Sequence, residues 1–297
     1  MTHTKPSPRK PLTKKDLAGE HPTWCPGCGH FSVLATHFKL LEKRQIPHEK
    51  IVTIAGIGCS SRMPYFLQAN GVHFIHGRAL PFATGISLSR PDLHVFVYGG
   101  DGDGFSIGGN HTTHTTRKNV RMTYVVMDNW IYGMTKNQTS PTTPPGAKTK
   151  TDTWGSVDEP INPVKQLLGA GATFVARSTA ANPAHMLQML EAALDHDGFS
   201  VIECLSECAH FNSGSFDRAS PRTGGKFELL PPSHDPTDAA AAFTLAAAPF
   251  PGYFGIFYNN KRPTKNALEA GIIAAQSEKF KDRKPWEILQ TTFNKMK

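Results

Sequence analysis

The chain has 297 residues, of which 39% are hydrophobic and 19% charged, so it can build a buried core and is not disordered throughout. Its formal net charge of +8 suits a solvated basic surface or an acidic protein partner, and no basic stripe interleaved with aromatic residues indicates a nucleic-acid surface. No segment has the length of a membrane span or the apolar core of a secretory signal, so we expect a cytoplasmic protein without membrane contact. Its five cysteines then lie in a reducing compartment, which favours metal or redox roles over disulfides.

The order of predicted elements indicates the fold class. Residues 1–22 are basic and aperiodic, and we predict an arm outside the core. Apolar runs predict five strands, at residues 51–55, 94–98, 122–127, 173–176 and 199–205. Helices are predicted at residues 81–90, 105–117 and 182–195. Because strands that are apolar on both faces alternate with helices, we predict an α/β fold with a doubly wound, mainly parallel sheet. Residues 23–235 are expected to form this domain, and residues 236–297 a C-terminal extension.

A glycine loop, residues 99–104 with the sequence GGDGDG, follows the strand at residues 94–98. Ligands of open α/β sheets bind at the carboxyl ends of strands, where glycines let the backbone approach them closely. The loop lacks the lysine of a phosphate-binding Walker loop, and the acid Asp101 can face a phosphate only through a cation. Asp101 is therefore predicted to bind Mg²⁺. The next strand ends beside it, which adds the side-chain oxygen of Asn129 and the carbonyl of Ile131 as candidate ligands.

Four cysteines are placed so that they could converge at the same edge of the sheet. Cys25 and Cys28 form a CxxC motif, while Cys59 and Cys208 each follow a predicted strand. Such a set suggests zinc or an iron–sulfur cluster. Structural zinc usually draws on two closely spaced pairs, so one pair with two distant single cysteines favours a [4Fe–4S] cluster. Cys204 lies inside a predicted strand and is interpreted as a buried apolar residue.

Several motifs together resemble a known family. Gly100-Asp101-Gly102, followed after twenty-five residues by Asp128-Asn129, resembles the metal–diphosphate signature of thiamine-diphosphate enzymes. The sequences CPGCGH (residues 25–30), GIGCS (56–60), HGRA (76–79), NWIYGMTKNQTSPT (129–142) and CAHFN (208–212) resemble, in family order, the β subunit of 2-oxoacid:ferredoxin oxidoreductases. The resemblance covers roughly residues 20–260. It implies the thiamine-diphosphate-binding fold, in its diphosphate-binding form.

The resemblance also implies a set of site residues. Cys25, Cys28, Cys59 and Cys208 would hold a [4Fe–4S] cluster, and Asp101, Asn129 and the carbonyl of Ile131 would bind Mg²⁺. Thiamine diphosphate would contact Ile57, Gly58, Cys59, Ser60, His76, Gly100, Asp101, Gly102, Asp103, Asn129, Ile131, Gly133, Met134 and Thr135. For Asp103 a role in the turn, and for His76 a role in packing or capping, stay open as alternatives. The family's last cysteine motif commonly ends Thr-Phe-Asn, whereas His210 replaces the threonine here, so the surroundings of the cluster differ.

The activity implied is oxidative decarboxylation of a 2-oxoacid with coenzyme A, with electrons passed through the cluster to ferredoxin, and it is reversible as CO₂ fixation. Arg62 stands where the family has a basic residue near the substrate carboxylate, and Lys136 is a similar candidate. Two basic groups favour 2-oxoglutarate over pyruvate or a branched-chain 2-oxoacid.

Only one α/β domain of this kind fits in the chain. A partner α subunit must then supply the pyrimidine-binding domain and the catalytic glutamate, and the expected assembly is an (αβ)₂ heterotetramer with residues 236–297 packed on the partner.

Two other classes of function stay open. A non-redox thiamine-diphosphate decarboxylase or carboligase subunit would contain no cluster. A zinc-stabilised binding module would contain zinc and no thiamine diphosphate, with the glycine loop as a plain turn.

Overall fold

The computed structural model describes residues 11–296. The strands are β1 (Ile51–Ala55), β2 (Asn70–His73), β3 (His94–Gly99), β4 (Met122–Asp128), β5 (Ile131–Tyr132), β6 (Gln138–Thr139), β7 (Phe174–Thr179), β8 (Phe199–Leu205), β9 (Glu228–Leu229) and β10 (Tyr253–Asn259). The α-helices are α1 (Lys14–Leu17), α2 (His30–Arg44), α3 (Ala79–Ser89), α4 (Gly109–Lys118), α5 (Pro163–Gly169), α6 (Pro183–Asp195), α7 (Ala239–Ala246), α8 (Lys265–Lys279) and α9 (Pro285–Lys295). Short 3₁₀ turns span His48–Lys50, Ser60–Phe66, Asp217–Ala219 and Pro221–Thr223, and a π-helical turn spans Gly102–Ile107.

Eight strands form one sheet in the order β2-β1-β3-β4-β8-β7-β10-β9. Neighbours are parallel throughout except at β10, which runs antiparallel to β7. A separate antiparallel pair joins β5 and β6. The predicted α/β class with a mainly parallel sheet is confirmed, and each of the five predicted strands is present.

Helices cover both faces of the sheet, which explains why the central strands are mostly apolar and are buried on both faces. Phe96, Tyr98 and Met127 belong to a core that includes residues of α2 and α6. Val97 and Val126, which alternate with them along the same strands, belong to a second core with residues of α3, α5 and α7. Burying one such side chain stabilises the fold by roughly 1.5–3 kcal/mol. The two cores fix the strand ends that carry the functional loops.

Three predictions about element boundaries need correction. The part of the predicted arm within the described residues is not outside the core, since Leu17 is 1% exposed and Ala18 bridges to Leu67. The few apolar residues of this polar segment form no periodic pattern that would predict their burial. The other arm residues, 1–10, lie outside the described range. The helix predicted at residues 105–117 is a π-helical turn over Gly102–Ile107 followed by α4, because glycine-rich sequence allows the backbone to widen there.

The predicted C-terminal extension does not begin as a separate unit. Its strand β10 pairs with β7 inside the main sheet, and α7 packs on the same core. The alternating pattern breaks because β10 is antiparallel and irregular, with a bulge between Ile256 and Tyr258. The helices α8 and α9 follow. Within residues 11–296, no helix has both the length and the apolarity needed to cross a bilayer.

Candidate cofactor site

Four neighbouring parallel strands, β1, β3, β4 and β8, bring their carboxyl ends together at one edge of the sheet. The loops that follow them carry Cys59, Asp101, Asn129 and Cys208. The predicted proximity of the end of β4 to Asp101 is therefore confirmed. All fourteen residues predicted to contact the cofactor line one cleft at this edge. That they bind a cofactor stays a prediction.

Three further residues line the cleft and were not predicted: His30, Met127 and Tyr132. His30 begins α2 directly after the CxxC motif, and its Nδ1 lies 2.7 Å from Ser206 Oγ. Burial lowers the pKa of His30 to about 4, so its ring is neutral at pH 7. Tyr132 could have been suspected because it lies inside the motif that carries Asn129. Met127 offered no signal beyond its place at the end of a strand.

Asp101 is buried and shares one hydroxyl with a second buried carboxyl group. Thr142 Oγ1 lies 2.8 Å from Asp101 Oδ2 and 2.9 Å from Asp128 Oδ1. Burial raises the pKa of Asp101, while burial and then the charges of Asp101 and Glu203 raise that of Asp128 well above its usual range. No lysine or arginine in residues 11–296 forms an ion pair with either group. Buried acids without a cationic partner fit a bound cation.

Asn129 and Ile131 lie at the cleft on a sharply turned backbone. Trp130 between them has a φ of 63°, a left-handed conformation that is uncommon for large residues. Asn129 Oδ1 accepts the N–H of Ile131 at 3.0 Å, which leaves a second lone pair free. Asn212 Nδ2, from the last cysteine motif, donates to the carbonyl of Asn129 at 2.9 Å. Carboxylate, amide and carbonyl oxygens are the ligand chemistry that Mg²⁺ prefers, so this set fits that ion.

Asp103 holds neighbouring loops together. Its Oδ1 accepts the N–H groups of Ile57 at 3.0 Å and Gly77 at 2.8 Å, and it lies 2.6 Å from His76 Nδ1. A Cβ at Gly56 would lie only 2.2 Å from its Oδ2, so glycine alone fits there. These contacts support the turn role left open for Asp103, although the residue also lines the cleft.

The four predicted cluster ligands lie near one another. The pKa of Cys28 is raised to about 12 by burial and then by the charges of Cys59, Cys208 and Cys25. The pKa of Cys59 is raised by burial and then by Cys208 and Cys25, while Arg62 lowers it. The four cysteines therefore lie close enough to interact electrostatically.

Whether the four thiols hold a cluster or a single ion stays a prediction. Within residues 11–296, no three His, Cys, Asp or Glu side chains are grouped so that they could hold a metal ion. Cys204 is fully buried in the core beneath this region, as predicted.

Hydrogen bonds that end on backbone carbonyl groups connect the cysteine motifs to each other. Trp24 Nε1 donates to the carbonyl of Cys59 at 2.7 Å, and the N–H of Gly29 donates to the carbonyl of Glu207 at 3.0 Å. These bonds connect residues far apart in sequence, which sequence patterns could not predict. They fix the loops on which the thiols stand.

The two residues predicted to contact substrate do not line the cleft. Arg62 lies in the 3₁₀ turn Ser60–Phe66, half-buried, and its charge acts on Cys59. Lys136 is exposed in the turn between β5 and β6, with a φ of 74°. Their roles toward substrate stay predictions.

Comparison with known proteins identifies the family. Residues 56–204 match the family model described as the thiamine pyrophosphate enzyme C-terminal TPP binding domain. The chain is 46% identical over 213 residues to a 2-oxoglutarate oxidoreductase subunit KorB of Mycobacterium tuberculosis, which covers 71% of this chain and 57% of that protein. It is 47% identical over 185 residues to a 2-oxoglutarate synthase subunit KorB of Archaeoglobus fulgidus, with 62% of this chain and 69% of that protein covered.

A solved structure is similar over nearly the whole fold. It is a 2-oxoglutarate:ferredoxin oxidoreductase from Magnetococcus marinus with 2-oxoglutarate, coenzyme A and succinyl-CoA bound. The match has a TM-score of 0.84 at 41% sequence identity and covers 92% of this chain and 97% of that chain. This chain therefore belongs to the thiamine pyrophosphate enzymes, in the family of the 2-oxoacid:ferredoxin oxidoreductase β subunits.

Proposed function

We propose that this chain is the β subunit of an oxidoreductase that converts 2-oxoglutarate and coenzyme A to an acyl-CoA and CO₂, with two electrons passed singly to ferredoxin. The names of the KorB relatives and the ligands of the Magnetococcus structure support 2-oxoglutarate as the substrate and coenzyme A as co-substrate. Because the chain spans 57% of the Mycobacterium relative, activity, substrate and partners rest on this proposal.

One observation carries the redox part of the proposal. A Cβ built at Gly133 would lie 3.5 Å from Cys208 Sγ and 3.7 Å from Asn129 Nδ2. One glycine therefore separates a proposed cluster ligand from a proposed metal ligand, which suits electron transfer between the two sites. A non-redox thiamine enzyme has no use for thiols at this position.

The residues of this chain would divide the work as follows. Asp101, Asn129 and the carbonyl of Ile131 would hold Mg²⁺ and, through it, the diphosphate. When bound, thiamine diphosphate supplies the electron sink for decarboxylation. Asp103 keeps the loops around it in place through the hydrogen bonds described above. Arg62, which is close enough to act on Cys59 but does not line the cleft, would attract the substrate carboxylate.

The cysteines would complete the redox site. Cys25, Cys28, Cys59 and Cys208 would hold the [4Fe–4S] cluster, whose positive iron ions offset the repulsion among the thiolates. Their backbone hydrogen bonds orient them, since such bonds govern the position of a ligating side chain. The exposed position of Cys25 would put one edge of the cluster within reach of ferredoxin.

A partner α subunit is proposed to complete the active site and to cover the C-terminal helices. Large apolar side chains on α8 and α9 are more than half exposed: Leu268, Ile272, Ile273, Trp286, Leu289 and Phe293. Exposed apolar faces of this size indicate a protein interface. We propose that α8 and α9 pack on the α subunit in an (αβ)₂ assembly. The predicted domain boundary at residue 235 therefore does not separate two folding units. It precedes the helices α8 and α9 that form the proposed interface.

The deciding experiment is a substrate panel with the co-expressed α and β subunits under anaerobic conditions. Reduction of ferredoxin or a viologen should require coenzyme A and be fastest with 2-oxoglutarate, ahead of pyruvate and branched-chain 2-oxoacids. Iron and sulfide should be present at about four each per β subunit, as expected for one [4Fe–4S] cluster. Zinc in their place would support the binding module, and decarboxylation without ferredoxin reduction would support the non-redox enzyme.

A further inference from the structure

Thr142 was not among the residues predicted from the sequence, yet its hydroxyl stands between the two buried acids of the site. It lies 2.8 Å from Asp101 Oδ2 and 2.9 Å from Asp128 Oδ1, and all three residues are buried. It contacts Asp101, the proposed metal ligand, without lining the cofactor cleft itself. A residue in this place acts on the metal through the ligand it holds.

The hydroxyl is held in place by an ordered loop. Next to it, Thr143 Oγ1 donates to the carbonyl of Trp130 at 2.5 Å and accepts the N–H of Ser140 at 2.8 Å. Further along, Gly146 and Ser156 close the loop, with the N–H of Gly146 donating to the carbonyl of Ser156 at 2.7 Å. Thr142 therefore cannot drift away from Asp101 without breaking these bonds.

A hydroxyl has one hydrogen, and two carboxyl oxygens compete for it. Asp128 Oδ1 also accepts the N–H of Trp130 at 3.0 Å, while its Oδ2 has no hydrogen-bond partner in the described part of the chain. A cation bound at Asp101 would offset the charge of that carboxylate and so weaken its attraction for the hydroxyl hydrogen. The same hydrogen would then be free to stabilise Asp128, so cation binding and donation to Asp128 support each other.

We propose that Thr142 is a positioning residue of the metal site. Its hydroxyl fixes the rotamer of Asp101 before the cation binds, and it donates its hydrogen bond to Asp128 once the cation is bound. The proposal rests on the assignment of Asp101 as a ligand of Mg²⁺. It adds a determinant of metal affinity that lies forty-one residues away from that ligand in the sequence. It also makes the loop of residues 140–156 part of the metal site, because this loop holds Thr142.

The test uses the full αβ complex and Mn²⁺ as a spectroscopic probe in the presence of thiamine diphosphate. Thr142→Val keeps the shape of the side chain and removes the hydroxyl, whereas Thr142→Ser keeps the hydroxyl. Thr113→Val is the matched control, because Thr113 is exposed on α4 and its hydroxyl bonds only to the carbonyl of Gly109. Thermal melts of the metal-free complexes check that each variant folds.

We expect Thr142→Val to weaken Mn²⁺ binding by about tenfold or more, the range found when groups behind a metal ligand are removed. Its Mn²⁺ resonance should broaden, Thr142→Ser should restore both properties, and Thr113→Val should match the wild type. Wild-type affinity in Thr142→Val would overturn the proposal, and so would failure of Thr142→Ser to rescue. If the wild type itself binds no Mn²⁺ with thiamine diphosphate, the proposed function fails at Asp101 and this inference falls with it.

Discussion

Replacing Asp101 by asparagine should change stability in opposite directions with and without cofactor. In the metal-free protein, Asp101 and Asp128 share a single hydroxyl and have no ion-pair partner in the described residues. An amide removes one of the two competing charges and can still accept the Thr142 hydrogen bond. Ser140 and the backbone N–H groups of Asp101 and Asn129 also stabilise the Asp101 carboxylate. Because an unsatisfied buried group costs about 1–3 kcal/mol and this one is partly satisfied, we expect Asp101→Asn to raise the metal-free unfolding free energy by about 1 kcal/mol.

The cofactor-loaded protein should behave in the reverse way. A ligand that binds only the folded state stabilises it by about 2.7 kcal/mol at one hundred times its dissociation constant. Asp101→Asn should lose this gain, because an amide is a poor substitute for the anionic ligand of Mg²⁺. The two Tm values, without ligand and with Mg²⁺ and thiamine diphosphate, should therefore nearly coincide in the variant. Each kcal/mol corresponds to about 2–4 °C in a domain of moderate size.

Anaerobic differential scanning calorimetry of the αβ complex, in EDTA and in saturating Mg²⁺ with thiamine diphosphate, measures both effects. Asp103→Ala is the contrasting variant: it removes the acceptor of three hydrogen bonds and should lower Tm in both buffers. A metal-free Asp101→Asn complex less stable than the wild type would refute the account of competing buried charges. A variant that kept the full cofactor-dependent rise in Tm would refute the assignment of the ligand.

The pH dependence of the metal-free protein gives the same test another form. Burial raises the pKa of Asp101 above its usual value of 3.8, so the folded state holds this proton to a higher pH than the unfolded state. Asp101 therefore contributes to the free energy of unfolding at low pH, and this contribution is lost as the pH rises through the pKa of Asp101 in the folded state. In Asp101→Asn, the unfolding free energy should decline less steeply with rising pH than in the wild type. An equally steep decline would assign the pH dependence to other groups.

Three further predictions follow from particular residues. Cys208→Ser should reduce the iron content and the absorbance near 400 nm, whereas Cys204→Ser, a change in the core, should leave both intact; the reverse result would reassign the fourth ligand. Arg62→Ala should raise the KM for the 2-oxoacid about tenfold or more, as for loss of a charged hydrogen bond, and leave that for coenzyme A unchanged; equal changes would remove its substrate role. Burial lowers the pKa of His37 to about 3, so stability should be lost as pH falls from 6.5 toward 3, by about 1.4 kcal/mol per unit, and His37→Gln should flatten that slope in urea titrations.

The strands and the edge they share could be predicted because each carries its own signal. Residues 51–55 and 199–205 are mostly apolar runs, buried along their whole length, and the structure gives them those bounds. The helix Pro183–Asp195 was predicted from its periodicity and from Asn182, whose side chain does accept the N–H of His185. Chemistry that needs a rare residue type, such as a thiolate or an acid among glycines, was equally visible.

Elements without a local signal were missed. α2 begins at His30 with Gly29 before it and has no side-chain cap, and β10 pairs antiparallel across a bulge. The prediction that the arm lies outside the core was wrong for Leu17. Its burial depends on contacts with distant residues, which the sequence of a short polar segment does not indicate. In each case tertiary packing, rather than propensity, sets the structure.

The contrast between Asp101 and Thr142 explains why site residues differ in how well they can be predicted. Asp101 lies in a glycine loop that follows a strand, so the residues next to it in the sequence predict its role. Thr142 is the last residue of the motif NWIYGMTKNQTSPT that resembles the family, but nothing in that motif predicts that its hydroxyl lies beside Asp101. Its position is fixed by its own hydrogen bonds to Asp101 and Asp128, and by the bond from the neighbouring Thr143 to the carbonyl of Trp130. Because the two carboxyl groups compete for one hydrogen, we expect the cation affinity of this site to depend on a loop for which the sequence predicted no metal-binding role.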